Sequence, residues 1–364
     1  MTCCVAPPPV QEELEDRAAT LFVLHEHGRL DWLDYGSAPR KHLQSMTDQE
    51  CEQRLRFRSI AVVLELRQLL KIPEKVVFGD RKIISGDDAL MILLAFMAQP
   101  LTLDALAFAY GRRPSAISEL VHHLLDHIYD RFYVDLLLNI GRWEEHFPTW
   151  ADAVDAKVGV DGGGIVAFLD GSCIDVCRPS YGQDAIYNGK DRTHCLKVIV
   201  SMAPNGITAF AAGPFAGSQH DASAYDESQL ESRMDSITGR WLARGHPQYS
   251  KGADKAFRLS RNVTPLFKPA DTAAKVAFNT AYSKPRTSVE WGFGVCGNLW
   301  PRMKWHRKLK IFQMPVAKMF FVAQILTNAH ACEYGNLVSS YFGMAGRAPS
   351  MQDYLGDLTR QVPL

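Results

Sequence analysis

The stretch GIVAFLDGSCIDVC, residues 164–177, decides how this chain is read. Five apolar residues, Ile165 to Leu169, follow a glycine and lead straight into Asp170. A short apolar run of this kind reads as a buried strand. An acid in such a run is unexpected, because an unpaired buried carboxylate is costly. Asp170 therefore belongs at a strand end or bend, or beside a partner.

Reading outward toward the C-terminus, HCLKVIVSMAPNG (194–206) is a second strand ending in an Asn205-Gly206 hairpin turn. ITAFAAGPFAG (207–217) is a third, which makes an antiparallel meander. A helix is expected from about 221 to 237, then PQYSKGADKAF (247–257) as a fourth strand and VTPLFKPA (263–270) after it. A helical region around 286–298 and a final helix at about 313–334 complete this half. Helices packed on a mixed sheet define an α/β, or α+β, domain.

Reading toward the N-terminus, VGVDGGG (158–164) marks a change of texture. Residues 46 to about 148 read as helical throughout. In SGDDALMILLAFMA, Ser85 is a capping signal with Asp88 three residues on. LTLDALAFAYG stops at Gly111, and Pro114 opens the next helix. There Ile117, Leu120, Val121, Leu124, Leu125 and Ile128 form one apolar stripe. Two helices joined by a short turn, about 102–128, suggest a helix-turn-helix. Ser115, Ser118, Glu119 and His122 would face outward, with Arg112 and Arg113 at the entry. That face suits either DNA contact or a purely structural helical pair. Residues 1–45 are acidic and proline-punctuated and read as an arm, and residues 336–364 as a tail.

Of 364 residues, 47% are hydrophobic and 22% charged, the balance of an ordinary globular protein. No apolar stretch reaches the length of a membrane span, and the start lacks the basic and apolar segments of a secretory signal. Eight cysteines are scattered without a CxxC pair, so reduced thiols in the cytosol or nucleus are the expectation. Cys173 and Cys177, four apart, read as small apolar filler or, less simply, as metal ligands. The net charge of zero hides an asymmetry: residues 1–177 hold 17 Lys and Arg against 27 Asp and Glu, and residues 178–310 hold 20 against 10. A basic half suits a polyanion, although a solvated face is the plainer reading. PRMKWHRKLK (301–310) gathers Arg302, Lys304, Arg307, Lys308 and Lys310 around Trp305 with no acid among them.

Four carboxylates stand at turns: Asp170 in FLDGS, Asp221 in GSQHD, Asp254 in GADKAF and Glu290 in RTSVEWGFG. If they converge, the all-oxygen donor set suits Mg²⁺ or Mn²⁺ rather than zinc. Two such ions about 4 Å apart can activate a water and stabilise the leaving oxygen of a phosphodiester. Each acid also has a plain structural role available. Asp221 could cap a helix, Asp254 could shape a turn, and Glu290 could pair with Arg286 one helical turn earlier.

FLDGSCIDV, YNGKDRTHCLKVIV, PFAGSQHDASAY, GADKAFR, LFKP, FNTAYSKPRTSVEWGFGVCGNLWPRMKW and ILTNAHAC, in that order, resemble the PIF/Harbinger transposases and the nucleases derived from them. The resemblance covers about 165–335, and the helices before it are similar to that family's front part. It implies an RNase H-like domain over about 160–335, preceded by a helical domain over 46–150. It implies a DDE site that binds divalent metal, Mg²⁺ or Mn²⁺, and cuts DNA, with joining of ends in a transposase. Asp170, Asp254 and Glu290 correspond to the catalytic acids, and Asp221 to a fourth carboxylate at the metal edge. Gly189, Lys190, His194 and Lys197 would line the cleft, with Lys190 either an exposed turn charge or a phosphate contact; the cluster of Arg302, Lys304, Arg307, Lys308 and Lys310 suits either phosphate contact or plain surface. The resemblance further implies nuclear location, self-association and a separate Myb-like DNA-binding partner. Two glycines in VEWGFG and the polar lead into Asp254 depart from the family pattern. A cleavage-inactive DNA-binding protein and a protein-interaction module are the alternatives.

Overall fold

The computed structural model describes residues 39–159 and 163–356. Most of the expected acidic arm, and residues 160–162 of the glycine-rich connection, lie outside the described residues.

The front of the chain is built of helices Asp48–Leu55, Ile60–Leu69, Gly86–Ala98, Leu103–Tyr110, Pro114–Tyr133 and Phe147–Val158. Their starts obey local chemistry. Ser85 accepts from the Asp88 amide, and Thr102 accepts from Ala105. Gly111, at φ 62, ends its helix in the left-handed conformation that glycine adopts without strain. The stripe from Ile117 to Ile128 is buried as its spacing requires, and the helix runs on to Tyr133. One expectation is corrected. Between the helices stands a hairpin, β1 (Lys75–Phe78) and β2 (Lys82–Ser85), paired from Lys75↔Ser85 to Phe78↔Lys82. Val76, Phe78 and Ile84 point inward while Val77 and Ile83 stay exposed. A period of two, broken by Gly79 at positive φ, wins over the helical surroundings.

The second half holds β3 (Ile165–Asp175), β4 (Tyr187–Asn188), β5 (Thr193–Met202), β6 (Thr208–Ala216), β7 (Ser250–Ala253) and β8 (Val263–Pro265). Their order across the sheet is β6–β5–β3–β7–β8, and β4 pairs with the first two residues of β5. The first three long strands are the antiparallel meander, and β7 and β8 run parallel to β3. The turn into β6 is the expected one, with Gly206 at φ 86. The helix expected over 221–237 is two, Asp221–Glu227 and Leu230–Ala243, parted where Gln229 takes φ 58. Helices Phe147–Val158, Ala273–Arg286 and Ser288–Leu299 pack on β3.

Helix Val316–Tyr334 joins the halves, packing on Pro114–Tyr133 and on β6. Asn328, in the ILTNAHAC stretch, is fully buried. Its Oδ1 accepts from the Thr208 amide at 2.8 Å, and its Nδ2 donates to the Thr208 carbonyl and the Tyr354 hydroxyl, both at 3.0 Å. The segment expected as a tail is packed as far as residue 356. Helix Met351–Leu355 buries Met351, Tyr354 and Leu355. No helix among the described residues is long and apolar enough to cross a membrane.

Candidate active site

Strand register brings the first two acids together. Leu169 in β3 pairs with Ala253 in β7, the two strands run in parallel, and β7 ends there. Asp170 and Asp254 are therefore the next residues on neighbouring strands, at the point where pairing on that side stops. Asp170 lies within its strand, opposite Val200 of β5, and on its other side the pairing with β7 has ended one residue earlier. The lead into Asp254 is polar in sequence, but Ser250, Lys251, Gly252 and Ala253 are all buried. Gly252 sits on the ring of Phe168, where a Cβ would lie 2.7 Å from Cδ1 and Cε1.

Glu290 comes from the first turn of helix Ser288–Leu299. That helix packs close to the sheet because Gly292 lies against Met202, where a Cβ would approach Cε to 2.1 Å. The glycine that weakens the helix in isolation is what seats it on β5. Gly294 meets nothing within 4 Å and has no such explanation.

Arg286 stands between two of the acids. Its Nη2 donates to Glu290 Oε1 at 2.9 Å, and its Nη1 is 4.0 Å from Asp170 Oδ2. Burial pushes the Asp170 carboxyl up to about 6. Arg286 and the Gly171 amide, which donates to Asp170 Oδ1 at 2.9 Å, pull it down, while the charges of Asp254 and Glu290 push it further up. Asp170 thus feels both other carboxylates. Asp254 Oδ1 also accepts from the Ala256 amide at 2.6 Å, a turn bond. The structural pairings open to Asp254 and Glu290 are therefore both made.

Asp221 is placed differently. The residue at the cap position of its helix is His220, so Asp221 is the first helical residue and not the cap. Its carboxylate lies over Gly171, where a Cβ would be 2.7 Å from Oδ1. That Oδ1 accepts from the Lys197 ammonium at 2.7 Å, and Lys197 also donates to the Gln219 carbonyl. The sequence pointed to Lys197 only as a cleft residue. Its pairing with Asp221 was invisible there because β5 and the 217–221 turn are brought together only by the fold.

Beside Gly171 opens a cleft of about 620 Å³, lined among others by Lys190, Lys197, Asn188, Ser218 and Asp221. Gly189 lines it too. Lys190 is exposed at its rim and makes no ion pair among the described residues. The basic loop divides. Arg302 is buried, donates to the Leu101 carbonyl at 2.6 Å and stacks 3.8 Å from the Phe96 ring centroid. It joins the two halves of the molecule instead of facing solvent. Lys304 is exposed and donates to Asn298 at 2.8 Å. Arg307, Lys308 and Lys310 are exposed without an acid partner among the described residues.

The carboxylates suit a hard divalent ion in kind: all are oxygen donors, and Asp170 carries like-charge repulsion that a cation relieves. In the arrangement described, Arg286 supplies part of that positive charge. No group of three or more His, Cys, Asp or Glu among the described residues stands ready to hold a metal ion.

Residues 169–328 match the family model of the DDE superfamily endonucleases. The matched segment begins one residue before Asp170 and contains Asp221, Asp254 and Glu290. The match supports a transposase-derived nuclease that acts on DNA. No curated protein and no solved structure matches the chain.

Proposed function

We propose that the chain is a divalent-metal-dependent DNA endonuclease of the DDE type, built on an RNase H-like domain and related to PIF/Harbinger transposases. The observation that carries this reading is the register Leu169↔Ala253, which leaves Asp170 and Asp254 as the next residues on neighbouring strands, together with Arg286 between Asp170 and Glu290. The strand order β6–β5–β3–β7–β8, three antiparallel strands and two parallel ones, supports the fold assignment.

Asp170, Asp254 and Glu290 would hold the metal, Mg²⁺ or Mn²⁺. A bound divalent ion supplies charge neutralisation at the phosphodiester and lowers the pKa of an attacking water. The protein's own part is positioning, since phosphoryl transfer asks for orientation and charge rather than a side-chain nucleophile. The middle of β3 fixes Asp170, the end of β7 fixes Asp254, and the glycine-seated helix fixes Glu290. Lys197 holds Asp221 in place at the edge of the site, and Lys190 is free to meet a phosphate across the cleft. Arg307, Lys308 and Lys310 offer sequence-independent contacts to the DNA backbone. Nuclear location, self-association and a Myb-like partner belong to the same proposal.

The test is nicking of supercoiled plasmid in Mg²⁺ or Mn²⁺ by wild type, Asp170→Ala and Glu290→Ala. Cutting by wild type alone is expected. Equal cutting by all three, or by none, would overturn the proposal. The ion pair of Arg286 with Glu290 favours a second reading, a DNA-binding protein that has lost cleavage. Gel retardation persisting in EDTA, without cutting in metal, would select it.

A further inference from the structure

Among the large apolar side chains left in water, two stand together. Tyr181 is 65% exposed and Phe312 is 53% exposed, yet their rings stack at 4.2 Å between centroids and 14° between planes. Exposed apolar residues are ordinary when scattered singly. This pair comes from two loops far apart in sequence, and both loops are pinned. Around Tyr181, Arg178 Nε donates to Gln183 Oε1 at 2.9 Å, and Gln183 Nε2 donates to the Pro179 carbonyl at 3.0 Å. Around Phe312, the Gln313 and Met314 amides both donate to the Lys310 carbonyl at 2.9 Å. The Cys177 amide donates to the Leu309 carbonyl at 3.0 Å, which ties one loop to the other. The two rings form a preorganised slab, so less ordering remains for a ligand to impose.

The surroundings are basic. Arg178, Arg307, Lys308 and Lys310 are exposed on the same two loops, and residues 176–183 and 301–313 contain no acid. Asp175 and Asp184 flank the first loop, and Asp175 already accepts from the Thr193 hydroxyl at 2.8 Å. Beside Phe312, the Gln313 carbonyl meets His122 Nε2 at 3.3 Å, so the slab adjoins helix Pro114–Tyr133. On that helix Asp126 and Asp130 are both paired with Lys318. The slab also lies toward the end of the sheet that carries the carboxylates. β7 stops opposite Leu169, while β3 runs on past Asp170 to Asp175 and leads into the Tyr181 loop. Asp170 to Asp175 is roughly 17 Å of strand.

A flat aromatic surface ringed by cations matches both parts of unpaired DNA, bases with a free π-face and a phosphate backbone. The paired bases inside a duplex keep their faces against one another and cannot use it. We propose that Tyr181 and Phe312 form a stacking platform for an unpaired base of single-stranded DNA, with Arg307, Lys308 and Lys310 on the backbone. The inference rests on the reading of the chain as a DNA nuclease. It adds the form of DNA the protein takes, a duplex with a single-stranded stretch or tail.

The test uses binding alone, in EDTA, with the full-length chain. Fluorescence anisotropy compares a blunt DNA duplex with the same duplex carrying a single-stranded tail. The tailed duplex should bind more tightly. Tyr181→Ala and Phe312→Ala should each weaken binding to the tailed duplex about five- to a hundredfold, and leave the blunt duplex within about twofold. Tyr181→Phe, which keeps the ring, should bind as wild type does. A fluorescent adenine analogue in the tail should be quenched by wild type and less so by the alanine variants. Equal affinity of wild type for the two DNAs, alanine variants that hold the tail as wild type does, or an equal loss on both DNAs would overturn the platform and leave the DNA reading standing. Absence of binding to either DNA would overturn both. Dimers that the alanine substitutions dissolve in sedimentation, with tail binding unchanged, would overturn the platform and assign the rings to a second copy of the chain.

Discussion

At the scale of the residue, position outweighs identity. Asp170 was recognisable because an acid interrupts an apolar run. What could not be read from the chain is that Arg286 lies between it and Glu290, since that contact joins a strand to the end of a helix more than a hundred residues later. Lys251 shows the same limit. It stands in a stretch that is polar in sequence, yet it is fully buried in β7, and its ammonium has no hydrogen-bond partner among the described residues. Burial pulls its pKa down to about 7 from an ordinary 10.5, with Glu231 opposing. Between those values the unfolded chain carries a proton that the folded chain lacks. Stability should therefore rise with pH across that window and be lowest at and below pH 7. Lys251→Met is expected to stabilise the protein by about 1–4 kcal/mol at pH 7, with the gain shrinking toward pH 10. Urea melts at the two pH values check this. A gain independent of pH would mean the lysine is not the source.

At the scale of the element, caps and periodicity were legible and interruptions were less so. Ser85, Thr102, Gly111 and Pro114 each do what their chemistry dictates, and the corresponding boundaries followed. The β1–β2 hairpin did not stand out, because eleven residues of period two are short beside the helices around them. The expected single helix after the third strand is split at Gln229, a residue with no turn signal. Gly292 departs from the family pattern in sequence, and the fold gives it a place against Met202. Gly292→Leu should lift helix Ser288–Leu299 off β5. Overpacking of this kind costs about 1–3 kcal/mol, and the displacement of Glu290 should reduce cleavage beyond what the lower stability explains. Gly294→Ala, which meets open space, should raise helix stability by about 0.5–1 kcal/mol and spare activity. Thermal melts and plasmid nicking on the same preparations separate the two.

At the scale of the molecule, the charge asymmetry seen in the sequence is real, but its members have different jobs. Arg302 knits the halves together, whereas Arg307, Lys308 and Lys310 face solvent from the same short loop. No pattern in PRMKWHRKLK distinguishes them; only the packing of Arg302 on Phe96 does. Reversing Arg307, Lys308 and Lys310 to Glu should weaken DNA binding across all sequences. It should also flatten the dependence of log affinity on log salt by about one for each phosphate that is no longer neutralised. Arg302→Ala should lower the melting temperature and leave the salt slope unchanged. Fluorescence anisotropy at several salt concentrations reads both.

The central claim is that Asp170, Asp254 and Glu290 act as one unit. Groups that act as a unit lose their function together, so their effects do not add. The most direct test is single-turnover cleavage of an end-labelled DNA duplex in Mn²⁺ by Asp170→Asn, Glu290→Gln and the double variant, each checked for an unchanged fold. The account predicts that both single variants fall about as far as the double. Losses that add on a logarithmic scale, or a single variant that keeps wild-type cleavage, would contradict it.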